Sequence, residues 1–86
     1  MQNAETLRKH ASLVDRMADH VGVDLEESVM RGALAPDVIP DLVLRCTKCS
    51  NPEACARLLR ATQSLAEAPE YCVNRDTLAK LATRAD

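Results

Sequence analysis

The chain carries four cysteines, Cys46, Cys49, Cys55 and Cys72, spaced C-x2-C-x5-C-x16-C, and this pattern constrains the fold more than any other feature. Four thiolates complete the ligand set of a single metal site, so whatever fold forms has to carry separate segments to one point. At 86 residues the chain makes one domain, residues 1–86, and a domain this short buries a smaller fraction of its unfolded surface than an average one. Its apolar residues are mostly Leu, Val and Ala, with no Phe, no Trp and Tyr71 as the single aromatic residue. Few side chains therefore bring a large buried area. Scaffolds of this kind add disulfides, a metal or a partner subunit to a light core.

The compartment decides among these. The segment MQNAETLRKHASLVDRMADH is charged throughout and has neither an apolar h-region nor a small-residue cleavage site. No run approaches the roughly 18 apolar residues of a membrane span. The expectation is a cytoplasmic protein with no membrane association, where persistent disulfides are rare and metal ligation is the leading use of four cysteines. A net charge of −2 with 28% charged residues is an ordinary surface, whereas nucleic-acid binding favours a strongly basic face. Within residues 45–60, however, Arg45, Lys48, Arg57 and Arg60 stand against Glu53, a local net of +3. These cations either compensate anionic thiolates or form a docking patch for an acidic protein partner. The oligomeric state is not readable.

Apolar periodicity predicts helices throughout. Leu7, Ala11, Val14, Met17, Ala18 and Val21 form one stripe of a helix over 4–21, stopped by Gly22. Asp24 with Glu27 three residues later resembles a capping box, opening a short helix to about Arg31 with Leu25 and Val29 inward and Gly32 as its break. A third helix starts from Pro36 or Pro40 and sets Ile39, Leu42, Cys46 and Cys49 inward near its C-terminal end. Asn51-Pro52-Glu53 reads as a helix start with Asn51 as cap, placing Cys55 in the first turn. That helix is expected to run through Leu58, Leu59, Thr62 and Leu65 to Ala68-Pro69. Asn74 then caps a last helix carrying Leu78, Leu81 and Ala82, with Cys72 in the connection. No strand alternation, repeat or low-complexity tract is present, so the expected fold is all-α, a small bundle of four or five short helices around a four-cysteine metal site.

Two metals compete for the site. Structural zinc with four cysteines usually takes two paired C-x2–4-C knuckles, and this chain has one such pair. Iron–sulfur sites more often combine a compact group with a remote cysteine, which favours a [4Fe-4S] cluster over zinc. The stretch Arg45-Cys46-Thr47-Lys48-Cys49-Ser50-Asn51-Pro52-Glu53-Ala54-Cys55 resembles the C-x2-C-x5-C portion of the [4Fe-4S] loop in endonuclease III-type DNA glycosylases. In those enzymes the fourth ligand precedes the other three, whereas Cys72 follows them here. The resemblance implies cluster ligation by Cys46, Cys49 and Cys55, and carries no implication of base excision. Over most of its length the chain also resembles a family of short bacterial four-cysteine helical proteins of unknown function. The shared features are the N-terminal helix, Arg45-Cys46 with its cysteine group, and Pro69-Glu70-Tyr71-Cys72-Val73-Asn74. That likeness implies that all four cysteines belong to one site.

Other uses of the cysteines carry less weight: four buried thiols without metal, two disulfides, or a redox pair at Cys46 and Cys49. The last would open a helix after a strand, whereas here the pair closes a helix. His10, on the apolar stripe between Leu7 and Val14, reads as a core-edge histidine that could in principle substitute for a cysteine ligand. His20 lies on a flank and does not pair with it. Tyr71 shields the site or is plain core, and Met17 and Met30 read as packing. With only two glycines and no G-x-S-x-G or His–carboxylate pair, no catalytic constellation is present and the chain is not expected to be an enzyme. The sequence thus leads to a small iron–sulfur protein acting as an electron carrier or redox sensor, or else to a metal-stapled adaptor for another protein.

Overall fold

The computed structural model describes residues 4–83 as five helices: α1 (Ala4–His20), α2 (Leu25–Met30), α3 (Val38–Cys46), α4 (Pro52–Ala61) and α5 (Arg75–Thr83). No strand occurs among the described residues, and none of the helices is long and apolar enough to cross a membrane. The fold is all-α.

α1 is the spine of the bundle. It packs chiefly on α3 and secondarily on α4, contributing Leu13, Val14, Met17 and Ala18 to the core. Leu42 of α3 and Leu78 of α5 are the most deeply buried large side chains, with Leu25, Leu34, Leu59 and Leu81 around them. Gly22 and Gly32 both take left-handed φ values, 83° and 77°, the conformation that lets the chain leave α1 and α2 without a Cβ penalty. Asp24 caps α2 as its spacing predicts, its carboxylate accepting the Glu27 N–H at 3.0 Å.

The structure departs from the sequence reading at several ends. α3 begins at Val38, between the two candidate prolines. Pro36 sits in the preceding turn and Pro40 in the first helical turn, where its missing N–H costs nothing. α4 stops at Ala61, one turn before Leu65, because His20 occupies the helix end: its Nε2 lies 3.0 Å from the Leu59 carbonyl and 2.8 Å from that of Thr62. The Leu65 N–H in turn donates to the His20 carbonyl at 2.8 Å. Residues 62–74 therefore run as an irregular strap held by backbone bonds, by buried Ala68, and by Arg75, whose Nε donates to the Ala68 carbonyl at 3.1 Å.

Neither asparagine caps its helix through its side chain. Asn51 precedes α4 without a side-chain cap bond, and buried Asn74 instead donates Nδ2–H to the Leu42 carbonyl at 2.8 Å. Met30, read as packing, is 75% exposed. Ala11 is also exposed and Leu7 only half-buried, because the expected stripe of α1 is wider than the face the other helices cover.

Candidate functional site

All four cysteines line one cavity, together with Leu13, Val14 and Met17 of α1, Pro52, the segment Tyr71–Asn74 and Leu78. Three separate stretches deliver them. Cys46 is the last residue of α3, and the turn after it brings Cys49 back, with the Cys49 N–H donating to the Cys46 carbonyl at 3.0 Å. Cys49 thus lies beyond the helix rather than on its face. Cys55 sits in the first turn of α4 and is the most buried of the four. Cys72 comes from the strap, placed by its N–H bond to the Pro69 carbonyl at 3.0 Å. All four thiols are free.

Two of the sulfurs have a nitrogen within hydrogen-bonding distance. His10, buried on α1, places Nδ1 3.3 Å from Cys46 Sγ. The Asn51 backbone N–H donates to Cys49 Sγ at 3.4 Å. The Asn74 backbone amide draws the Cys72 pKa down against the burial that raises it. Cys49 itself donates to the Tyr71 carbonyl at 3.8 Å, tying the α3–α4 turn to the strap.

The electrostatics are those of thiols crowded in an apolar space. Burial pushes Cys46 up to about 12, with Cys49, Cys55 and Cys72 adding to the rise. Burial also raises Cys55, reinforced by Cys72 and Cys49 and opposed by Arg16 of α1. These thiols hold their protons more firmly than a free cysteine does. Their mutual repulsion as thiolates is what a bound metal centre reverses, since ligation requires the deprotonated form.

Among the described residues, no three His, Cys, Asp or Glu side chains form a group that could hold a metal ion as they stand. The cavity between the thiols is about 20 Å³, room for about one water-sized body. The donor set fits a thiolate-bound centre in chemistry and in convergence on one apolar space.

The four cysteines and His10 are legible in the sequence, whereas Asn51, Asn74 and Arg16 become neighbours of the sulfurs only in the fold. A signal for the asparagines was present: each lies two residues after a cysteine, in Cys49-Ser50-Asn51 and Cys72-Val73-Asn74. That offset lets a backbone N–H fold back onto sulfur. Arg16 carried no comparable signal, because its approach to Cys55 depends on how α1 crosses α4.

Fold and site together define a small all-α protein whose four thiols share one cavity. The chain belongs to the family of unknown function DUF6455, which matches residues 1–84. No curated protein and no solved structure matches it.

Proposed function

We propose that the protein binds one [4Fe-4S] cluster through Cys46, Cys49, Cys55 and Cys72 and serves as an electron carrier or redox sensor in the cytoplasm. The observation that carries this reading is the convergence of four free thiols on one apolar cavity, with the Asn51 N–H donating to Cys49 and His10 Nδ1 set against Cys46. Buried thiols that merely pack need no such donors, whereas ligating thiolates accept hydrogen bonds, and those bonds tune the potential of a cluster. Four cysteines saturate the cluster, leaving no iron open to substrate, so the proposed role is not enzymatic.

The size of the cavity favours a second reading, in which one zinc ion is a structural staple and the protein is an adaptor for another protein. A void of about 20 Å³ is closer to a single ion than to a cluster. Under this reading Cys46, Cys49, Cys55 and Cys72 would hold one zinc ion as thiolates, and the ion would tie α3, α4 and the strap together.

Anaerobic purification followed by visible spectroscopy with iron, sulfide and zinc analysis separates the two. Broad visible absorption bleached by dithionite supports a redox cluster. A colourless protein with one equivalent of zinc overturns it. Carrier and adaptor differ in their partners. Charge reversal at two of Arg45, Lys48, Arg57 and Arg60, all exposed, slows electron transfer to an acidic redox partner and flattens its salt dependence while leaving the spectrum intact. A partner that binds cluster and zinc forms equally well argues for the adaptor.

A further inference from the structure

The side of α1 away from the cysteines carries a second surface. Ala11 is exposed there beside Ile39 and Val43 of α3, and two adjoining grooves share these three residues. Leu44 at one edge is 47% exposed and Met30 at the other 75% exposed. Charge is distributed unevenly along this face: Arg8 lines one groove, while Asp15 and Glu26 line the other. Arg8 and Asp15 have no ion-pair partner among the described residues.

The order of residues along α1 gives this surface a two-fold logic. Arg8, Ala11, Ser12 and Asp15 fall at i, i+3, i+4 and i+7, on one face of the helix. Antiparallel pairing about the midpoint between Ala11 and Ser12 sets Arg8 of one copy against Asp15 of the other, twice, with the two small residues at the axis where the helices approach. A closed two-fold interface requires a self-complementary patch of this kind. Parallel pairing in register instead opposes Arg8 to Arg8, which like-charge repulsion disfavours. His10, Leu13 and Met17 point from nearly the opposite side of α1, so the cysteines lie behind the helix from such a contact, with buried Val14 between the groove and the cysteine cavity.

We infer that this face is a homodimer interface in which antiparallel α1 helices cross at Ala11 and Ser12, Arg8 of each copy pairs with Asp15 of the other, and the apolar grooves beside Ile39 and Val43 are covered. It supplies the partner subunit that a core without Phe or Trp lacks, and it stands or falls independently of the metal at the cysteines.

Sedimentation equilibrium of the full chain tests it. The parent chain is expected to dimerise, and Arg8→Glu or Asp15→Arg to weaken the dimer at least about tenfold, since each change acts twice across the axis. Mixing Arg8→Glu with Asp15→Arg is expected to restore dimer to within about threefold of the parent, because each copy then presents the charge that the other lacks. Ala11→Arg, at an exposed position where circular dichroism should stay unchanged, is expected to abolish association. A parent chain that remains monomeric at about 100 μM overturns the inference and leaves the face to a different protein. A dimer indifferent to both reversals, or not restored by the mixture, overturns it as well.

Discussion

His10 on α1 and Cys46 at the end of α3, 36 positions apart, meet with Nδ1 3.3 Å from Sγ. With Cys46 as a thiol, its S–H donates to the ring; with Cys46 as a ligating thiolate, Nδ1–H donates to sulfur. Burial lowers the pKa of His10 below its ordinary value, with Lys9 contributing, so the ring has one proton to place. In the cluster-loaded protein, removing this donor by His10→Phe should make the reduction potential more negative by on the order of 40 mV. That is the one-electron equivalent of about 1 kcal/mol of hydrogen bonding to charged sulfur. His10→Gln, which keeps an N–H, should recover part of the shift. Equal potentials in all three proteins would falsify the assignment.

Metal and fold should be coupled, because the four cysteines tie α3, α4 and the strap together over a core with a single aromatic residue. Cys55→Ser, at the most buried of the four positions, or removal of the metal by a chelator is expected to cost several kcal/mol in denaturant unfolding. Unchanged helical circular dichroism and melting after complete removal would show that the bundle needs no staple.

His20 should make stability depend on pH in a defined direction. Both ring nitrogens face carbonyl oxygens: Nδ1 lies 2.8 Å from that of Arg16, and Nε2 lies near those of Leu59 and Thr62. Only the imidazolium donates from both nitrogens. These bonds, that to Thr62 foremost, raise its pKa above the ordinary 6.5. A group whose folded pKa is raised stabilises fully below its unfolded value and loses that contribution as pH climbs through the folded one. Melting temperatures measured from about pH 5.5 to about pH 8.5 should show the parent losing its advantage over His20→Gln across that window. A constant difference between the two proteins would remove His20 as the cause.

Asn74→Ala should cost about 1–3 kcal/mol in chemical denaturation, since it strips the Leu42 carbonyl of a buried partner and frees the strap from α3. Because the substitution leaves all four cysteines and the local backbone in place, metal content should be retained at low temperature. Loss of metal without loss of stability would place the amide in the site instead. For comparison, Leu42→Ala, at a fully buried position, should cost about 2–5 kcal/mol through the cavity it leaves.

The class of fold and the residues of the candidate site are legible in the chain alone. Helical periodicity, Asp24 three residues before Glu27, the two glycines and Pro52 at a helix start are local signals, each written within one or two turns of chain, and the helices they announce are present. The cysteine spacing was equally local for Cys46, Cys49 and Cys55. Where distant groups meet is set by the packing of the whole chain. α4 stops at Ala61 because His20, 41 positions earlier, caps its carbonyls, and no periodicity within residues 52–69 carries that information. The nearness of His10 to Cys46 and of Arg16 to Cys55, and the exposure of Met30, likewise follow from how α1 crosses its neighbours. Helix propensity and caps act over a few residues, whereas these contacts are selected by packing the whole chain at once.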